Sequence, residues 1–99
     1  MKIRVYFYKE SDPEILFKDD KISKQALETI YDLVWESEFK NIVNVGKVWL
    51  KFNEEDLKPF GIPLEKKRRH RRISAGDIIQ MGTEFYMVKQ IGVKKINLL

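Results

Sequence analysis

A chain of 99 residues has room for one modest hydrophobic core and not for two, so a single α+β domain over residues 1–99 is expected. Apolar residues at 43% and charged residues at 34% exclude a disordered chain, and the absence of cysteine excludes disulfides and thiolate metal sites, which fits a reducing cytoplasm. The net charge of +4 is unevenly spread: residues 1–65 carry ten Lys/Arg against thirteen Asp/Glu, while residues 66–99 carry nine against two. A chain polarised in this way favours an acidic partner at its C-terminal half and permits head-to-tail association.

The start, Met1-Lys2-Ile3-Arg4-Val5, places charge among apolar residues with no long apolar run behind it. It reads as neither a signal peptide nor a membrane span, and a soluble cytoplasmic protein is the expectation. Lys2 to Tyr8 alternates, with Ile3, Val5 and Phe7 on one face and Lys2, Arg4, Tyr6 and Tyr8 on the other, which is the period of a half-buried strand. Glu10-Ser11-Asp12-Pro13 has turn chemistry, and Ile15-Leu16-Phe17 reads as a second short strand.

Ser23 suits the cap of a long helix reaching about Phe39, since Leu27, Ile30, Tyr31 and Val34 recur at i, i+3, i+4 and i+7. On that reading Glu28, Asp32 and Glu36 form a solvated row of carboxylates four residues apart. Lys47 to Phe52 alternates, Val48, Leu50 and Phe52 against Lys47, Trp49 and Lys51, and predicts a strand entered through Asn44-Val45-Gly46. Asn53 then caps a helical turn over Glu54 to Lys58, and Pro59-Phe60-Gly61-Ile62-Pro63 stops it in an irregular loop.

Ile73 to Gly92 encodes a tight hairpin, Asp77 to Met81 and Glu84 to Gln90 joined through Gly82-Thr83. Glycine first in a two-residue loop suits a type II′ turn. Gly92 marks another turn before a last edge strand over Val93 to Leu98. The expected fold is a small curled or barrel-like, mostly antiparallel sheet of five or six strands on one long helix, ending in the hairpin.

Catalytic chemistry is poorly served. His70 is the single histidine and lies among six cations, Ser74 has no second histidine to activate it, and no phosphate-loop, dinucleotide or metal-ligand pattern is present. No catalytic residue, metal ligand or cofactor is therefore assigned. The strongest signal is the run Lys66-Lys67-Arg68-Arg69-His70-Arg71-Arg72. Such a run neutralises several phosphates, and its arginines grip phosphates or carboxylates bidentately, although cationic runs also occur on plain solvated loops. Tyr6, Tyr8, Trp35 and Trp49 are candidates for exposed aromatics, on which a base stacks with ~1–3 kcal/mol. The candidate binding residues are thus the seven of the run with Tyr6, Tyr8 and Trp49.

The segment Arg71-Arg72-Ile73-Ser74-Ala75-Gly76-Asp77-Ile78-Ile79, with Tyr86 and Gly92 beyond it, resembles the YodL-like proteins of phages and other mobile elements. Ser74, Gly76, Asp77, Ile78, Ile79, Tyr86 and Gly92 match that signature in type and spacing. Arg72, Ala75 and Val93 depart from it, and the turn glycine is shifted to Gly82. The likeness spans residues 71–93. It implies a mobile-element accessory protein without catalytic residues to carry over, in which Gly76 allows a turn and Asp77 pins it.

Together these readings predict a non-enzymatic protein that binds a host protein or nucleoprotein of acidic surface through the basic run. Inhibition of a host defence system (anti-CRISPR or anti-restriction type) or of transcription would be its use, with direct binding of DNA or RNA as the competing class. A monomer or small homo-oligomer in the cytoplasm of a bacterial host, with no membrane partner, completes the expectation.

Overall fold

The computed structural model of the protein describes residues 1–9, 21–55, 58–65 and 73–98. The alternating N-terminal residues form β1 (Lys2–Tyr8), in which Ile3, Val5 and Phe7 are fully buried. The chain then forms β2 (Lys21–Ile22), α1 (Lys24–Thr29), β3 (Tyr31–Glu38), α2 (Val45–Glu54) and a 3₁₀ turn at Pro59–Gly61. It ends in β4 (Ile78–Met81), β5 (Glu84–Val88) and β6 (Val93–Leu98). The strands make one sheet of order β2-β6-β5-β4-β1-β3, antiparallel except where β2 runs beside the end of β6. Among the described residues the sheet is open, with β3 and β2 at its edges, and does not close into a barrel.

The expected long helix over residues 23–39 does not exist. Ser23 does cap a helix, its Oγ accepting the Ala26 N–H at 3.0 Å, but that helix ends at Thr29. From Tyr31 the chain is β3, paired with β1 along its whole length. Tyr31, Val34 and Trp35 are β-branched or aromatic residues that suit a strand paired on one side. The strand was hidden by a bulge. Val5 faces Trp35 and Tyr6 faces Leu33, leaving Val34 as an extra residue, so that Val34 and Trp35 are both buried. A bulge breaks period two, and the remaining apolar spacing imitates a helix.

The opposite error occurs at the strand expected over Lys47 to Phe52, which is the middle of α2. Val45, Val48, Trp49 and Phe52 stand at i, i+3, i+4 and i+7; Val48 and Phe52 are fully buried, with Val45 and Trp49 half-buried against the same cluster. Leu50, which the alternating pattern had turned inward, is 49% exposed. Asn44 caps the helix, its side-chain oxygen accepting the Gly46 N–H at 2.6 Å. Asn53 is not a cap but lies inside α2, where its Nδ2 donates to the Trp49 carbonyl at 2.8 Å. The proline-rich stretch after it is not wholly irregular, because Pro59 opens the 3₁₀ turn at a position where no N–H is needed.

The hairpin is as expected. Met81 faces Glu84 across a two-residue loop in which Gly82 has φ +64° and Thr83 has no positive φ, the pattern of a II′ turn. β6 also forms where expected, although β2 covers its last two residues. The expected turn at 10–13 and strand at 15–17 lie outside the described residues.

One short helix covers each face of the sheet. On one face Ile3, Val5, Phe7, Trp35 and Ile79 pack with Val48 and Phe52 of α2. On the other Tyr8, Tyr31, Ile78, Phe85, Met87 and Ile96 pack with Leu27 of α1. Two apolar faces therefore replace the single face that one long helix would have covered.

Candidate interaction surface and cleft

Residues Lys66, Lys67, Arg68, Arg69, His70, Arg71 and Arg72 lie outside the described residues, but the chain on either side of them is tied down. Before the run, the Glu65 N–H donates to the Val34 carbonyl at 2.6 Å, and Trp35 Nε1 donates to the Ile62 carbonyl at 3.0 Å. After it, Ile73 is buried in the core. The run is bounded by an edge strand and by a core residue.

The turn that follows is built on Asp77, which is 2% exposed. Its Oδ1 accepts the Tyr8 N–H at 2.8 Å and its Oδ2 accepts the Ser74 N–H at 2.7 Å. Its own N–H closes the turn on the Ser74 carbonyl at 3.0 Å, and its carbonyl accepts the Val88 N–H at 2.8 Å. Gly76 holds φ +98°, a conformation that side chains disfavour, while its N–H donates to the Val88 carbonyl. Tyr31 donates to the Gly76 carbonyl at 2.6 Å, and burial raises its hydroxyl pKa, helped by the negative charge of Asp77 and then by Tyr8. The Ser-Ala-Gly-Asp motif is thus a structural knot joining β1, β4 and β5, as the turn reading of Gly76 and Asp77 expects.

The stacking aromatics fare differently. Tyr8 is 4% exposed, its ring edge-on to Tyr31 at 5.2 Å, and Trp35 is fully buried. Neither is a platform, because both faces of the sheet are covered where a single covered face was expected. Trp49 is half-buried against the core, and Tyr6 is half-buried with its hydroxyl donating to Gln80 Oε1 at 2.9 Å. Burial raises the Tyr6 pKa against the opposing pull of Arg4.

The carboxylate row is dispersed once the long helix is gone. Glu28 stands exposed on α1, whereas Asp32 and Glu36 belong to β3. Asp32 has a side chain only 15% exposed, with Lys9 Nζ at 3.8 Å. Glu36 receives Lys2 Nζ at 2.6 Å and Arg4 Nε at 3.0 Å. These bonds, from Lys2 first, hold its pKa below the usual glutamate value, and the same contact raises that of Arg4. Among the described residues no group of three or more His, Cys, Asp or Glu converges.

A cleft of about 520 Å³ opens on the sheet face that carries α1. Arg4, Tyr6, Leu33, Gln80 and Phe85 form its floor, and Lys24, Leu27 and Glu28 of α1, with Tyr31, Asp32, Lys9 and Leu98, form its walls. Gln80 is held from both sides, accepting from Tyr6 and donating through Nε2 to the Gly82 carbonyl at 2.9 Å. Sequence reasoning found Tyr6 here and missed the rest. Arg4 and Tyr6 stood together on the polar face of the first strand, but Gln80 is separated from Tyr6 by 74 positions and no motif links them.

Among the described residues no helix is long and apolar enough to cross a membrane. Comparison of the chain with models of known protein families, with curated proteins and with solved structures finds no match.

Proposed function

We propose that the protein is a non-enzymatic binding protein that engages an acidic surface of a host protein or nucleoprotein through residues 66–72. The observation that carries this reading is the insertion of six cations in seven residues between two tethered points, Glu65, whose N–H is bonded to β3, and the buried Ile73. Charges carried on a segment tied at both ends lose less conformational entropy on docking than charges on a free tail. The buried carboxylate nearest in sequence, Asp77, is engaged by two backbone N–H groups, which supports a role for it in the fold. The burial of Tyr8 and Trp35 removes two stacking surfaces that a single-stranded nucleic acid would use, which favours a protein surface as the partner. The mobile-element resemblance of residues 71–93 supplies a context, inhibition of a host defence or transcription system in the bacterial cytoplasm, by association alone.

The test combines capture from a bacterial lysate with binding to generic duplex DNA and single-stranded RNA at low and moderate salt. Replacing Arg68, Arg69, Arg71 and Arg72 together by serine is expected to abolish capture of a protein partner. If the run acts only through its charge, stability should move by only ~0–1 kcal/mol. Arg71→Ser alone should weaken capture more than Arg68→Ser, because position 71 is closer to the fixed turn. Retention of the partner by the quadruple variant sinks the reading. Salt-sensitive binding to both nucleic acids without a protein partner would replace it by direct nucleic-acid binding.

A further inference from the structure

The cleft beside α1 stands on observations separate from those that carry the basic run. From its geometry we propose that it binds a small organic monoanion, a carboxylate joined to a flat apolar body. Its volume of about 520 Å³ is of the size that takes a small molecule, since ligand sites commonly span ~300–1,000 Å³. Arg4 supplies the anion contact. Its Nε donates to Glu36 at 3.0 Å and the guanidinium also interacts with the Tyr6 hydroxyl, contacts that orient its plane while the outer nitrogens keep further N–H groups for an anion. A planar fork with two donors side by side matches a carboxylate bidentately. Lys24, exposed on α1, also has no ion pair among the described residues and adds a second positive charge at the wall.

The remaining surface selects the body of the ligand. Phe85, Leu27 and Leu33 are apolar contacts on the floor and helix wall. Glu28 and Asp32 set the charge limit. Lys9 offsets Asp32 at 3.8 Å, whereas Glu28, one turn along α1 from Lys24, repels a second negative charge. A monoanionic carboxylate therefore fits better than a phosphate dianion.

The experiment titrates the full chain with 2-naphthoate, with neutral 2-naphthamide and with acetate, following the Arg4 Nε–H and Gln80 side-chain amide signals by NMR. Saturable shifts with naphthoate are expected, with the amide and acetate weaker by about tenfold or more, a difference of ~1.4 kcal/mol. Arg4→Gln should lower naphthoate affinity to that of naphthamide. Lys24→Ser and Glu28→Gln lie on the exposed side of a short helix and keep the test independent of any effect of Arg4 on folding. The first should weaken naphthoate and the second should tighten it. Equal affinity for naphthoate and naphthamide, weaker binding by Glu28→Gln, or no saturable shift at millimolar probe would each overturn the assignment.

Discussion

Two carboxylates hold β1 from its two ends, Asp77 in the core and Glu36 at the rim, and they do different work. Asp77 accepts backbone N–H groups of Tyr8 and Ser74 in a site 2% exposed. Glu36 accepts side-chain groups of Lys2 and Arg4, and its own side chain is 26% exposed. For Tyr8 the first supplies a hydrogen bond that water cannot, so its loss would orphan a buried donor. The second competes with water for groups that are solvated anyway, so it orients a side chain more than it stabilises a fold. Chemistry of the same kind thus fixes the fold at one end of the strand and poises an arginine over a cleft at the other.

The largest effect should come from breaking the buried end. Asp77→Ala leaves the Tyr8 and Ser74 N–H groups without their acceptor; the buried Tyr8 donor alone costs ~1–3 kcal/mol, and the part-buried Ser74 donor adds a smaller amount. Urea or thermal unfolding measures it. The effect should persist at high salt, because the Tyr8 bond is shielded from the solvent. A loss below ~1 kcal/mol would show that the turn does not depend on this carboxylate.

How far these two ends could be read from the chain differs in the same way. The buried knot was legible, because Ser74, Gly76 and Asp77 are neighbours and the chemistry of a turn is local. The hairpin was legible for the same reason, with Gly82 placed first in its two-residue loop. The rim was not. Glu36 pairs with Arg4 only because residues 31–38 form a strand, and the bulge at Val34 gave that strand the apolar spacing of a helix. The reverse happened at residues 45–54, where Val48, Leu50 and Phe52 alternate by chance on a helix whose inner face is Val45, Val48, Trp49 and Phe52. Short apolar segments satisfy both periods, and long-range pairing decides between them. The cleft depended on both outcomes, so only Tyr6 among its residues was anticipated.

At the exposed end the backbone should matter more than the ion pairs. Gly82 holds φ +64° in the hairpin turn and its N–H donates to the Lys2 carbonyl at 2.8 Å, tying the turn to the start of β1. A side chain there would meet only Met1 Cγ at 4.0 Å, so Gly82→Val costs through conformation and not through a clash. The expected loss is ~1–3 kcal/mol, read from the melting temperature. An unchanged melting temperature would shift the burden of holding this end back to Glu36 and its partners.

The smallest effect is electrostatic and tests the rim directly. Glu36 has a lowered pKa chiefly through Lys2, with Arg4 contributing after the opposing cost of desolvation. A carboxylate with a depressed folded-state pKa binds its proton less readily in the folded protein. It therefore contributes stability above the unfolded value of ~4.3, and the contribution disappears as the pH falls through the lower folded value. Lys2→Ala should move the Glu36 titration, followed by carboxyl-carbon NMR, upward towards ~4.3. The melting temperatures of this variant and the parent should differ at neutral pH and converge in acid. Added salt should narrow the same gap, since the pair lies at the surface. If Glu36 already titrates at the ordinary value in the parent, the pair does not hold Arg4 in place. The rim would then be solvated charge, and the contrast with Asp77 would extend to the cleft, which would lose the oriented guanidinium on which its anion selectivity rests.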